Sequence, residues 1–365
     1  MNPRAADCFA ASYAEARARF LARCERARAD VVTYEHPLRG PDGAPVFLDT
    51  ARLGPKSAPR ALFLASGTHG IEGFCGSGIQ SFLLDGGLAE RVPADAAVVL
   101  VHAVNPWGFA WARRVNEDNV DLNRNFLDHA APHPENPDYD ALYGVLNPTS
   151  LDPAVIAEAM LTLRSFESER GWSAAYRALS GGQYRHPRGV QYGGIEPTWS
   201  NRTLRAVWAL YARDAEVAAY VDLHSGLGPR GTGLLLQTAP EESVAARLAK
   251  DWWPDVLRAE PGRGSDAALV SGLIGPAFVA ALANVAATGL VLEFGTREMN
   301  EVVTAVQADH WLDRHGERDS ETGRAIARRM RDAFFIDEDD WKERVCTRAK
   351  EVVDQALTGM AAFRP

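Results

Sequence analysis

Two unbroken apolar runs, ALFLAS at 61–66 and AAVVLVHAV at 96–104, constrain the fold of this chain more than any other feature. A strand that faces water on one side alternates apolar and polar residues, whereas a run without alternation is covered on both faces. Between the two, GSGIQSFLLDGGL reads as a helix stopped by glycine. Strand, helix and strand at this spacing predict a right-handed crossover in an open α/β sheet. DVVTYEH and VFLDTARL, split by the turn signal RGPDGAP, read as further strands, as do 217–223, 232–238 and the run TGLVL that leads into Glu293. Helices are expected over 5–30, 152–180, 199–213, 241–259 and the charged tail 317–360. The segments 127–150 and 181–199, rich in Pro, Asn, Gly and Tyr, read as long surface loops. With no repeat, low-complexity linker or composition break in 365 residues, one domain spanning 1–365 is expected, with helical extensions at both ends.

A formal charge of −9 and the lack of any Lys/Arg-rich run argue against a nucleic-acid partner. The first twenty residues have no apolar stretch typical of a signal peptide. The strongest membrane-like stretch, 273–292, is interrupted by Pro276, Asn284 and Gly289 and reads as a buried helix followed by a buried strand. Cys8, Cys24, Cys75 and Cys346 are widely spaced, as free thiols in a reducing cytoplasm would be. The expectation is therefore a cytoplasmic protein with no membrane partner. Only four of 39 basic residues are lysine, a bias that points to a GC-rich bacterial genome.

The chemistry gathers at strand ends. His69 and Glu72 lie three apart in SGTHGIEGFCGSG, directly after the first apolar run, and such a pair can present an imidazole and a carboxylate to one metal ion. HxxE alone arises often by chance. His224 follows AAYVDL and Glu293 follows TGLVL, so three strand-to-loop junctions deliver residues able to bind a metal or act as a base, the pattern of a hydrolytic zinc site. Cys75 lies close by but reads as a small core residue. LSGGQ at 179–183 comes without a phosphate-binding GxxxxGK[ST] loop, and the serines beside the histidines come without a GxSxG elbow.

The segment NPWGFAWARRVNEDNVDLNRNF at 105–126 is more specific. HxxE, NPxGF, an arginine nine positions before an Asn-Arg pair, a strand-end His and a strand-end Glu follow the order of the zinc carboxypeptidase family. The chain resembles that family over roughly 60–300, including its aspartoacylase and succinylglutamate desuccinylase branch, and more nearly a bacterial branch carrying RRVNEDNVDLNRNF. The resemblance implies a mixed, mostly parallel central sheet flanked by helices. It implies one Zn2+ per chain on His69, Glu72 and His224, with Asp121 orienting the first histidine. It makes Glu293 the general base and Arg114 the stabiliser of the oxyanion. Asn123 and Arg124 would bind a substrate carboxylate, and Arg113, also on the substrate side, is the neighbour that takes the role of Arg114 if the register is off by one. Such an enzyme cleaves an amide next to a free carboxylate in a peptide. The alternatives are deacylation of N-acyl amino acids on the same metal site and an inactive zinc-binding protein. Peptide-digesting relatives supply a tyrosine between the second histidine and the glutamate. This chain has none in that interval, which leaves Tyr184 or Tyr192 as substitutes.

Overall fold

The computed structural model describes residues 3–258 and 270–364. Its strands are β1 (Asp30–Arg39), β2 (Pro45–Leu53), β3 (Arg60–Ser66), β4 (Ala96–His102), β5 (Val217–Arg230), β6 (Gly233–Gln237), β7 (Leu257–Arg258) and β8 (Ala286–Gly295). They form one sheet in the order β1-β2-β4-β3-β5-β8-β6-β7. The four central strands β4, β3, β5 and β8 run parallel, and β2 and β6 join them antiparallel on either side. The mixed, mostly parallel sheet of the sequence reading is present.

Helices cover the sheet: α1 (Tyr13–Arg26), α2 (Gly73–Asp85), α3 (Leu88–Arg91), α4 (Pro106–Ala110), α5 (Pro137–Leu146), α6 (Pro153–Arg170), α7 (Trp172–Ser180), α8 (Trp199–Tyr211), α9 (Val244–Trp252), α10 (Ile274–Ala281), α11 (Met299–His315), α12 (Glu321–Phe334) and α13 (Asp339–Ala362). The apolar runs of β3 and β4 are buried because alternate residues enter two cores. Leu62, Leu64, Val98 and Leu100 pack with Ile79 and Leu83 of α2 and with Val345, Val352 and Val353 of α13. Ala61, Phe63, Val99 and Val101 pack on the other face with Leu204, Trp208 and Phe278 of α8 and α10. The stretch 273–292 is α10 followed by β8, and among the described residues no helix is long and apolar enough to cross a membrane.

Several boundaries differ from the sequence reading. The expected loop 127–150 contains α5, started by Pro137 at its first turn and packed through Tyr139, Leu142, Val145 and Leu146. Its Asn- and Pro-rich entry hid this apolar spacing. The helix expected over 152–180 breaks at Gly171, whose φ of 82° suits a residue without Cβ. α9 is shorter than expected, and the two-residue strand β7 follows it. α11, between Glu293 and the tail, was not anticipated.

Candidate metal centre and active site

The parallel strands β3, β5 and β8 are neighbours, so their carboxyl ends form one shelf, which is where open α/β sheets hold their ligands. Ser66 pairs in register with Leu223, and His224 with Glu293. The chain leaves β3 into a turn carrying His69 and Glu72. That turn lies on α4: a Cβ on Gly70 would come within 2.1 Å of Gly108, and one on Gly73 within 2.4 Å of the Phe109 ring. Asn105 caps α4 by accepting from the Gly108 amide at 2.8 Å, and its own amide donates to Gly67 at 2.8 Å. NPWGF is thus the platform on which the HxxE turn rests.

His69, Glu72 and His224 offer ligand atoms within 4.8 Å of one another, and all three side chains are buried. Glu72 stands between the two rings: Oε1 is 2.8 Å from His69 Nδ1, and Oε2 is 2.8 Å from His224 Nδ1. Each imidazole is backed at Nε2 by a second carboxylate, His69 by Asp121 at 3.0 Å and His224 by Asp222 at 2.9 Å. Thr68 Oγ1 donates to both oxygens of Asp222. Burial would raise the pKa of Glu72, but the two imidazoles outweigh it and hold the carboxyl below its usual range. Burial opposes the charge of Asp121 as well, yet Arg114, Arg124 and His69 keep its pKa well below normal.

Two ring nitrogens and one carboxylate, with Asp121 hydrogen-bonded to one ring and Asp222 within ion-pair distance of the other, fit zinc; such partners fix ring orientation and raise ligand basicity. Among the described residues this is the only group of three or more His, Cys, Asp or Glu side chains close enough to share an ion. Cys75 is buried, and burial foremost, then Glu72, push its thiol well above the usual range.

Glu293 is only partly exposed and accepts a hydrogen bond from the Leu227 amide at 3.1 Å. Burial first, and then the charge of Glu72, raise its pKa to about 7. A carboxylate tuned there can take up and return a proton near neutral pH. Arg114 pairs with Asp121. Burial disfavours its charge, but Asp121, Glu72 and Glu293 outweigh that and raise its pKa.

Asn123 and Arg124 follow Asp121 in a short 3-10 turn, Leu122–Arg124, capped by that aspartate through the Asn123 amide at 2.9 Å. Arg124 Nε donates to the Ser180 carbonyl at 3.0 Å, and Nη1 to the Asn123 carbonyl at 2.8 Å. Asn123 Oδ1 accepts from the Ile274 amide at 3.0 Å. Arg113 lies beside Arg114 in the chain but turns the other way: Nε is 3.1 Å from Asp309 and Nη1 2.7 Å from Asp313, both on α11. Tyr184 donates its hydroxyl to the Arg124 carbonyl at 2.7 Å, and the Tyr192 ring belongs to the core between sheet and α8.

Asp222, in sequence only a polar flank of His224 that favours ligation, is the carboxylate behind that ring. It stands two before His224 on a strand, a spacing that puts both side chains on one face, so the signal was present.

Residues 9–348 match the family model described as Protein of unknown function (DUF2817), and the chain belongs to that family. No curated protein matches its sequence. Its structural neighbours include metallocarboxypeptidases and succinylglutamate desuccinylase/aspartoacylase family proteins. Bovine thrombin-activatable fibrinolysis inhibitor, solved with tick carboxypeptidase inhibitor, is 10% identical, with 97% of each chain covered and a TM-score of 0.50. A metallo-carboxypeptidase from Burkholderia cenocepacia is 14% identical, covering 95% of this chain and 69% of its own, with a TM-score of 0.43. A succinylglutamate desuccinylase/aspartoacylase from Rhodobacter sphaeroides is 16% identical, covering 78% and 64%, with a TM-score of 0.38. At these identities the likeness to the bovine protein shows a shared fold and no more.

Proposed function

We propose that this chain is a zinc-dependent hydrolase that cleaves an amide bond next to a free carboxylate, with a carboxypeptidase-like site. The observation that carries this reading is the convergence of His69, Glu72 and His224, each ring backed by a carboxylate, with Glu293 on the strand beside His224. His69, Glu72 and His224 would hold the metal. When bound, zinc would acidify a water molecule and polarise the scissile carbonyl. Glu293 accepts the proton of the attacking water and delivers it to the leaving amine, work for which its raised pKa suits it. Arg114, fixed by Asp121, offers a positive charge where the carbonyl oxygen becomes anionic. Arg124 and Asn123 bind the substrate's free carboxylate through whichever donors their backbone partners leave available. Asp121 and Asp222 hold the two imidazoles in orientation.

A second reading keeps this machinery and changes the substrate to a small N-acyl amino acid. What favours it is the lack of any tyrosine between His224 and Glu293, together with the commitment of the Tyr184 hydroxyl to the Arg124 carbonyl. The test is a panel of peptides and N-acyl amino acids, free and amidated at the terminus, assayed with chelator and after zinc is restored. Hydrolysis that requires zinc and a free carboxylate is expected. Equal cleavage of free and amidated substrates would exclude both forms of the proposal.

A further inference from the structure

We propose that Asp309 on α11 positions Arg114 by way of Arg113, so that a carboxylate outside the cleft contributes to turnover. The inference rests on the reading of Arg114 given above and adds to it a residue that touches neither metal nor substrate.

The Gly70 amide donates to the Arg114 carbonyl at 3.1 Å, and the Ile71 amide to the Arg113 carbonyl at 2.8 Å. The two arginines therefore form the rail beside the turn that carries His69 and Glu72. Their side chains leave this rail in opposite directions, Arg114 to Asp121 and Arg113 to α11. Only the second anchor lies outside the site. Arg114 is held by Asp121, which is itself tied to His69, so that anchor stays within the site.

The guanidinium of Arg113 is almost wholly buried, and each nitrogen has a partner: Nε faces Asp309, Nη1 faces Asp313 and Nη2 reaches Asn119 at 3.5 Å. Asp309 is itself buried and held from the other side by Arg318, 3.0 Å away. A buried charge that lost its partner would carry an uncompensated desolvation penalty, so this arrangement resists rearrangement. Asn119 extends the tie. It takes a left-handed conformation (φ 60°), and its Nδ2 donates to the carbonyls of Pro187 and Gly189, each at 3.0 Å. Arg113 thus joins three pieces of chain that are distant in sequence: α11, the turn leading to Asp121, and the loop after α7. With all its nitrogens engaged this way, Arg113 is a strut and not a substrate ligand.

The consequence concerns geometry. A guanidinium stabilises an anionic transition state only where the charge develops, and displacement by about 1 Å can cost on the order of a hundredfold. Asp309→Asn keeps the shape of the side chain and removes the buried one of the two charges that hold Arg113. Its kcat, on whichever substrate of the panel above the parent cleaves best, should fall by about ten- to a hundredfold while KM stays within about twofold. Zinc content should not change. In an Arg114→Ala background the same substitution should lower kcat by less than about twofold further, because the group it positions is already gone. Should Asp309→Asn fail to fold, Asp313→Asn, at the more exposed end of the pair, should show the same pattern with a smaller loss.

Full kcat in a folded Asp309→Asn enzyme, alongside a strongly impaired Arg114→Ala enzyme, would overturn the inference and leave the proposed function standing. Losses that multiply in the double variant would also overturn it, since Asp309 would then act by another route. A rise in KM alone would return Arg113 to the role of substrate ligand. If Arg114→Ala itself keeps full turnover, the role given to Arg114 fails, and the inference fails with it.

Discussion

His224 and Glu293 face each other across β5 and β8, and the turn bearing His69 and Glu72 leaves the adjoining strand β3. Backbone ladders in the middle of the sheet set their positions, and the two cores on either side hold those strands in place. Arg114, Asn123 and Arg124 lie instead on an irregular segment, 113–124, tied down by side chains: Asp121 to His69 and Arg114, Arg113 to α11, Asn119 to the loop after α7. The proposed metal-binding half is held by the fold, and the proposed anion-binding half by side-chain contacts to charged groups and backbone. Substitution in the first half should therefore act on metal binding or on the chemical step, whereas the second half should separate substrate binding from turnover.

The largest effect is expected at Glu293. Glu293→Gln should lower turnover by roughly two to four orders of magnitude while zinc stays bound, because the residue serves as a base. Parallel kinetics and metal analysis check this, and loss of zinc in that variant would make Glu293 a ligand. Next comes Arg114→Ala, which should cost kcat about a hundred- to a thousandfold with little change in KM, the mark of a contact made mainly in the transition state. Arg124→Ala should show the reverse split: KM for a free-acid substrate rises about ten- to a hundredfold, and kcat changes little. Amidating the substrate should hurt the parent more than the Arg124 variant, since the lost contact is shared. If both arginine variants lose kcat and KM in the same proportions, the division between the two halves of the site does not hold.

The smallest effect is on stability. Arg113 and Arg318 overcome the burial of Asp309 and hold its folded pKa below normal. An unfolded aspartate titrates near pH 3.9, so this contribution is complete above about that pH and is lost as the pH falls through the lower folded value. Asp309→Asn should accordingly lower the melting temperature at neutral pH by a few degrees, about what a loss near 3 kcal/mol from a broken buried ion pair produces in a chain of this length. The gap should narrow in acid. A gap that widens in acid would mean that the aspartate is not stabilised by its arginines.

The same contrast explains what was legible in the sequence. His69, Glu72, His224 and Glu293 stood out because each follows an apolar run, and the end of a buried strand is a place that hydrophobic pattern reveals. Asp222 was equally readable from its spacing to His224. The direction of Arg113 was not, because it lies in an irregular segment with no side-chain period and its partner Asp309 comes 196 positions later. α5 went unseen because Asn136 and Pro137 mark a turn and a helix start equally well. The apolar spacing of Tyr139, Leu142 and Val145 becomes informative only with Ala178 of α7 in view.

If these strand ends make a zinc site, the metal content of the protein shows it. Purified parent protein and the His224→Ala variant should be analysed by elemental mass spectrometry after identical dialysis against chelator and re-equilibration with zinc. About one zinc per parent chain is expected, as for a three-ligand catalytic site, and a small fraction of that in a folded variant. Stoichiometric zinc retained in His224→Ala, or a parent that hydrolyses its substrate without any metal, would contradict the zinc site.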